Sequence, residues 1–435
     1  MNGWQHVDIR SMQSSMRDYS DRAACHPEAS CSGCPHQCPH LYLTRPGARL
    51  GHRIQRDISH RRKRHARSST AVAKQACAST GAAASYKLAQ ISAPSTLPFD
   101  PRTMIAIGAV IVILMALKKV FDTPSRTYDP QNPNVGDEYD SWTEDGILEY
   151  YWGEHIHLGY YTEAERAQGY KKKDFKQAKL DFVDEMLRWS GAAAPARILD
   201  VGCGIGGTSR HLAATFPGAR VQGITLSPAQ VKRAAALAEK RGLSNVSFQV
   251  MNALEMDFED NTFDLVWACE SGEHMPDKAK YVQEMTRVLK PGGHIVIATW
   301  CQREGTPGRP LTAKDKAALQ FLYDEWAHPY FVSVQEYGRL LEGTGKLESV
   351  EVDDWTPQTL PTWRHSNWVG VWDPWPVIFK LNPFVWYKVM REIVTLERMH
   401  RAFDSGLMEY GMAKAVKKAA APQAAQERSA LSTAA

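Results

Sequence analysis

The stretch "ILDVGCGIGG", Ile198 to Gly207, decides the fold. Ile198, Leu199 and Val201 enclose Asp200 near the end of an apolar run, three spaced glycines follow, and "TSRHLAATF" then reads as a helix. Strand, glycine turn and helix in that order form a loop whose backbone approaches a nucleoside-bearing cofactor closely. Gly202, Gly204 and Gly207 match G-x-G-x-x-G, so a dinucleotide, and with it a nicotinamide-dependent oxidoreductase, is one reading. That reading also requires an acid about 20 residues on, at the end of the second strand, to take the ribose hydroxyl. Here the second strand runs "VQGITLSP", with Thr225 and Ser227 where the acid belongs. Asp200 repels a pyrophosphate but attracts an ammonium group. S-adenosylmethionine carries that ammonium, a carboxylate suited to helix-terminal N–H groups, and an adenosine that follows the crevice at the strand ends. The residues therefore predict S-adenosylmethionine, with Asp200, Gly202, Cys203, Gly204 and Gly207 around its methionine end. The oxidoreductase remains the rival from another class.

Outward from this loop the pattern repeats. "FKQAKLDFVDEMLRWSG" places its apolar residues on one helical face and stops at Gly191. "RVQGITL", "VSFQVM", "TFDLVWACE" and "GGHIVIATW", the last after a turn "KPGG", read as strands. Between them lie the helices "SPAQVKRAAALAEKRG", opened by Ser227 as N-cap with Pro228 in the first turn, and "DKAKYVQEMTRVL". Such alternation predicts a doubly wound, mainly parallel α/β sheet from Ala196 to Trp300. Two more strands, "ESVEVDDW" and "LMEYGMAKAV", flank a helical insertion that holds Trp355, Trp363, Trp368, Trp372, Trp375 and Trp386 with Phe379 and Phe384. Tryptophan at that density suits a surface that meets lipid headgroups or a long isoprenoid chain; a packed dimer face is the alternative.

The 435 residues carry 43% hydrophobic content and a formal charge of +4, too little to imply a nucleic-acid surface, and no nucleic-acid motif is present. Residues 1–100 hold the basic, acid-poor run "RPGARLGHRIQRDISHRRKRHAR", which reads as an organelle transit peptide or else a solvated tail. Cys25, Cys31, Cys34 and Cys38 have spacings that permit a zinc or iron–sulfur site, but the intervening prolines argue against one. The remaining cysteines are scattered, as in a reducing compartment. "MIAIGAVIVILMAL", Met104 to Leu117, spans about 21 Å as a helix, short of the roughly 30 Å hydrocarbon core unless residues up to 121 extend it. Proline-rich linkers on both sides, the second at 122–136, argue for an isolated membrane anchor rather than a buried helix. Lys118 and Lys119 would then face the same side as the domain. Residues 419–435 offer little to bury and read as a disordered tail.

At this point "ILDVGCGIGGTSR", "GITLSPAQ", "WACESGEHMPDKAKYVQEMTRVLKPGG" and "ATWCQR" resemble the class I methyltransferases of the gamma-tocopherol methyltransferase type. "DSWTEDGILEYYWGEHIHLGYY", "LYDEWAHPYF", "DDWTPQTLPTW" and "LMEYGMAKAVKK" are similar to its cyanobacterial-type branch, which methylates 2-methyl-6-phytyl- and 2-methyl-6-solanesyl-1,4-benzoquinol. The resemblance covers residues 137–418. It implies a Rossmann-like methyltransferase domain there, an N-terminal hydrophobic anchor, and a prenylated quinol acceptor drawn from a plastid membrane, the inner envelope, with the domain on the stromal side. Methylation of gamma-tocopherol, or of a sterol or other small molecule, is the rival within the class. It also implies that Thr225 and Leu226 hold the ribose, that Asn252 and Ala253 face adenine, and that an N-terminal segment with Tyr139, Trp142 and Tyr151 covers the cofactor.

Catalytic candidates follow the fourth strand. "ESGEHM" lies at the carboxyl edge of the sheet, where Glu270, Glu273 and His274 would face the cofactor. Methylating a ring carbon ortho to a phenol is helped by removing the phenolic proton, so His274 with a carboxylate orienter is the first candidate base, against a plain helix-capping role. His155 and His157 come second. They share one side if "WGEHIHLGYY" is extended, whereas His155 and Tyr151 share one if it is helical. A metal on the pair lacks an evident third ligand. The oligomeric state is not legible.

Overall fold

A computed structural model describes residues 100–125, 140 and 143–419. The expected transit segment, the Cys25–Cys38 cluster, Tyr139, Trp142 and all but the first residue of the tail lie outside the described residues. In chain order the helices and strands are α1 (Pro101–Asp122), α2 (Ile147–Trp152), α3 (Glu163–Gln168), α4 (Phe175–Ser190), β1 (Arg197–Val201), α5 (Gly207–Thr215), β2 (Arg220–Thr225), α6 (Pro228–Lys240), β3 (Val246–Val250), β4 (Phe263–Cys269), α7 (Lys278–Val288) and β5 (Leu289–Gln302). Then follow α8 (Ala313–Trp326), α9 (Val334–Gly343), β6 (Leu347–Asp354), α10 (Thr356–Thr359), α11 (Pro361–Trp372), α12 (Trp375–Ile378), α13 (Pro383–Asp404) and β7 (Met408–Lys417).

The seven strands lie in the order β3-β2-β1-β4-β5-β7-β6. β1 to β5 pair in parallel, and β7 runs antiparallel to both β5 and β6. The doubly wound α/β sheet and the aromatic insertion before its last strand are therefore both present. Side chains alternate between two apolar layers because a strand's faces alternate with period 2. Ile198, Leu265 and Trp267 pack into one layer with Phe182 and Met186 of α4, while Leu199, Val266 and Ala268 pack into the other with Tyr281 and Met285 of α7. Local signals agree. The Ser227 hydroxyl accepts from the Gln230 N–H at 3.0 Å with Pro228 at the first position of α6, a cap worth about 1 kcal/mol. "KPGG" is not a turn before the strand but a looped-out bulge within β5, between the pairs Phe263–Leu289 and Leu265–His294.

Two expectations need correction at the N-terminal helix. α1 is 22 residues, reaching to Asp122 and starting at Pro101 instead of Met104, because Asp100 caps it by accepting from the Arg102 N–H at 2.7 Å and Pro101 starts it. It is long and apolar enough to cross a membrane. Nor is it isolated. The buried Arg391 of α13 donates to the carbonyl oxygens of Val120 (3.1 Å) and Thr123 (2.5 Å) and pairs with the buried Glu325 of α8 at 2.6 Å. Arg398 bonds Asp122 at 2.5 Å, and the Phe121 ring lies against Tyr387. An arginine on the last carbonyls of a helix satisfies orphan acceptors and complements the helix dipole.

Candidate functional site

β1 delivers Asp200 to the carboxyl edge of the sheet, and the glycine loop turns there into α5. Gly204, at φ +54°, has open space where a side chain would be, so the cavity above it is left clear. Gly207 is crowded instead: a Cβ there would meet the Glu154 carbonyl oxygen at 2.0 Å. One cavity is lined by Asp200, Gly202, Cys203, Gly204, Gly207, Thr225, Leu226, Asn252 and Ala253, with His155, His157, Glu270 and His274. Asp200 is buried, one oxygen accepts from the Ser209 hydroxyl at 2.6 Å, and burial pushes its pKa up to about 6. It is thus largely ionised at neutral pH and suits an ammonium group, whose charge would hold it so. The Thr225 hydroxyl donates to Gln230 Oε1 at 2.7 Å, and Gln230 itself lines the cavity. Asn252 Oδ1 accepts from the Leu254 N–H at 3.0 Å, so this amide also shapes the turn that ends β3.

Glu154 to His157 line this cavity from a non-helical segment, since α2 ends at Trp152 and Gly153 turns the chain at φ +76°. The helical alternative, with Tyr151 beside His155, is excluded. Tyr151 donates instead to the Asp373 carbonyl at 2.7 Å and lines a second cavity, not the one that holds the glycine loop. Glu154 pairs with Arg210 (2.6 Å) and Arg241 (2.8 Å), and the fully buried Arg210 also donates to the Ile205 carbonyl at 2.6 Å. The cover is thereby strapped to the glycine loop. His157 Nδ1 lies 2.8 Å from the Leu158 carbonyl and must donate to it, so its Nε2 accepts from His155 Nδ1 at 3.3 Å. Burial lowers both pKa values, His157 to about 4, and keeps both rings neutral. Among the described residues no group of three or more metal-ligating side chains occurs.

The second cavity, of about 660 Å³, is lined by apolar and aromatic side chains including Tyr151, Trp300, Trp326, Trp363 and Met390. Glu270 and His274 line both cavities. Glu270 holds a left-handed backbone, φ +49°, uncommon for its residue type and of the kind that collects at functional sites. Its Oε1 accepts from the Leu158 N–H and the Tyr410 hydroxyl, both at 2.7 Å. Glu273, expected to face the cofactor, does not line the first cavity; the 3₁₀ turn Gly272–His274 directs it to the second, and it accepts from the Thr299 hydroxyl at 2.7 Å. Burial, and for Glu270 repulsion by Glu273, raise the pKa of both carboxyls. The His274 ring lies against that of His328, centres 4.4 Å apart and planes tilted by 39°, and burial with the nearby Lys278 ammonium pushes its pKa down to about 3. The insertion splits by role: Trp355 and Trp363 are core, whereas Trp372 and Trp375 are exposed. Sequence reasoning passed over Gln230, Tyr410, His328 and the Glu154–Arg210 strap. His328 sits in the quoted "EWAHPYF", an aromatic run that marks it; the others have no local signal.

A family model for a methyltransferase domain matches residues 194–345. The chain is 43% identical over 317 residues to 2-methyl-6-phytyl-1,4-hydroquinone methyltransferase from a Synechocystis strain, covering 72% of this chain and 96% of that protein. It is 38% identical over 280 residues to a chloroplastic tocopherol O-methyltransferase from Arabidopsis thaliana, covering 61% of this chain and 77% of that one. A solved sarcosine dimethylglycine methyltransferase from Galdieria sulphuraria shares the fold, with a TM-score of 0.54 and 24% identity over 63% of this chain and 98% of its own. The nicotinamide reading falls with these matches, and the site's carboxylate, open glycine and missing ribose acid agree with S-adenosylmethionine as cofactor. The chain belongs to the family of S-adenosylmethionine-dependent methyltransferases that includes the 2-methyl-6-phytyl-1,4-hydroquinone and tocopherol methyltransferases.

Proposed function

We propose that this enzyme methylates a ring carbon of a prenylated 1,4-benzoquinol, the 2-methyl-6-phytyl or 2-methyl-6-solanesyl compound, in tocopherol and plastoquinone synthesis. One observation carries the reading: the cofactor cavity meets a large apolar chamber at a carboxyl and an imidazole, Glu270 and His274. A polar quinol head on a long apolar tail matches a chamber with that division. The Synechocystis relative is named for such an acceptor.

When bound, S-adenosylmethionine supplies a methyl group activated by its sulfonium, which a carbon nucleophile can take. The cofactor side falls to Asp200 for the ammonium, Thr225 and Leu226 near the ribose, and Asn252 and Ala253 near adenine. Of the catalytic candidates, Glu270 suits proton acceptance best. Burial raises its proton affinity toward neutrality, where a general base works well, and the Leu158 and Tyr410 donors fix its carboxylate at the cavity junction. His274 is too weak a base at a pKa of about 3; its neutral imidazole orients the quinol hydroxyl instead. Glu270 takes the phenolic proton, electron density moves to the ortho carbon, that carbon bonds to the methyl as the carbon–sulfur bond breaks, and the ring hydrogen then leaves as a proton to restore aromaticity. Alignment of the three atoms supplies several kcal/mol besides.

We further read α1 as a membrane anchor and place the enzyme at a plastid membrane, the inner envelope, with its domain in the stroma. Support comes from the length and apolar character of α1 and from the chloroplastic relative. The test is to offer purified full-length protein labelled cofactor with each quinol separately. Label in phytyl- or solanesylbenzoquinol is expected; label in gamma-tocopherol alone would replace this acceptor with the tocopherol.

A further inference from the structure

The described residues do not close over the acceptor chamber. Val371, Ile378, Trp386 and Met390 line it and are 41–54% exposed on the outside, so they form its rim. Around that rim stand Trp372 (76% exposed), Phe379 (71%), Leu381 (77%) and Phe384 (82%), large apolar side chains that no part of the described chain covers. Contiguous exposed apolar groups of this size mark a surface that meets another apolar phase.

The position of α1 identifies that phase. The helix has no buried residue, as befits one surrounded by lipid. Its C-terminal end is fixed to α13 by Arg391 and Tyr387, the sequence neighbours of the rim residues Met390 and Trp386. Arg391 and Glu325 are both buried, so the joint is part of the domain's packing and holds the anchor beside the mouth of the chamber. Lys118 and Lys119 lie exposed at that end of α1, and Lys380 lies exposed between Phe379 and Leu381. Cations beside tryptophans belong at the headgroup layer.

We propose that the rim formed by α11, α12 and the start of α13 docks into the lipid bilayer, so that the acceptor's isoprenoid tail passes sideways from the hydrocarbon into the chamber without crossing water. This rests on the prenylquinol reading for its cargo, while the docking itself does not. The occupant of the patch is the bilayer, and the route is specific: over Trp386 and Met390, with the quinol head leading toward Glu270.

The test uses the full-length protein in vesicles of phosphatidylcholine and phosphatidylglycerol. α1 contains no tryptophan, so quenching of tryptophan emission by lipids brominated on the acyl chains reads the rim and not the anchor. Quenching is expected in the wild type and should be largely lost in a Trp372→Ser/Trp375→Ser/Phe379→Ser/Phe384→Ser variant, whose substituted positions do not line the chamber. In the same variant KM for vesicle-embedded phytylbenzoquinol should rise at least tenfold, with turnover of a short-chain soluble quinol kept within twofold. Absent quenching in the wild type, or equal loss on both quinols, would overturn the proposal. Quenching with neither quinol methylated would leave the docking standing and remove the acceptor reading instead.

Discussion

The tightest contact in the site is between Gly207 and the cover, and it makes a sharp prediction. A Cβ at residue 207 would lie 2.0 Å from the Glu154 carbonyl oxygen, 2.7 Å from its carbonyl carbon and 3.1 Å from His155 Cγ. Ordinary contact begins at 3.4 Å, so Gly207→Ala must part the backbone of the cover from α5 by about 1.4 Å. No rotamer relieves a clash with backbone, and α5 is fixed against the sheet, so the cover has to move. Overpacking of this kind costs about 1–3 kcal/mol. The cover, being the less deeply packed partner, takes most of it, and cofactor affinity should fall by a factor of roughly 5 to 150, at tenfold per 1.4 kcal/mol. Titration calorimetry with S-adenosylhomocysteine gives the affinity, and hydrogen exchange at residues 154–158 should rise in the variant. Gly218→Ala, which meets nothing within 4 Å, is the control and should bind as the wild type does. Affinity within twofold of wild type for Gly207→Ala, with unchanged exchange at 154–158, would refute the idea that this segment covers the cofactor.

Four further predictions follow from the charges. Asp200 is pushed up to about 6 by burial, so its carboxylate is lost as pH falls through 6; cofactor affinity should drop about tenfold per unit below that, and Asp200→Asn should bind weakly with a flat profile by calorimetry. Glu270→Gln should lower kcat by about 10² to 10⁴ with the quinol KM little changed, and should abolish the rise of kcat as pH increases toward neutrality. The same raised carboxyl pKa values favour the neutral forms in the folded state, a stabilisation present below the ordinary carboxylate range and lost as pH rises; wild-type Tm should therefore fall between about pH 5 and 8, and less steeply in Glu270→Gln. Arg391→Ala leaves Glu325 buried without its partner, at a cost of about 3–5 kcal/mol, whereas Arg391→Met/Glu325→Met should recover most of it in a thermal melt; equal Tm for the two variants would deny the joint its role.

What the chain order reveals and what it conceals separate along physical lines. The central parallel strands β1 and β4 bury both faces, so Ile198 and Leu199 or Val266 and Trp267 advertise themselves as unbroken apolar runs, and the Ser227–Pro228 pair marks a helix start through its own hydrogen bond. These are local causes with local signals. Asp100–Pro101 is the same signal as Ser227–Pro228, and reading it as linker left Pro101, Arg102 and Thr103 out of α1. The cofactor loop was legible because one strand end and one turn supply most of it. The acceptor side was not, because its geometry comes from distant segments: the backbone of Leu158 and the hydroxyl of Tyr410 converge on Glu270 from opposite ends of the domain. Nothing in "ESGEHM" tells Glu270 from Glu273. Only the left-handed turn at Glu270, followed by the 3₁₀ turn, sends the first to the junction of the cavities and the second to the acceptor wall alone. The tryptophans make the same point, since Trp363 stands in the first turn and Trp372 at the end of one helix, one at 1% exposure and the other at 76%. Composition marks this insertion as apolar; which of its rings are buried and which are exposed is decided by how α11 packs against α13, α4 and α2.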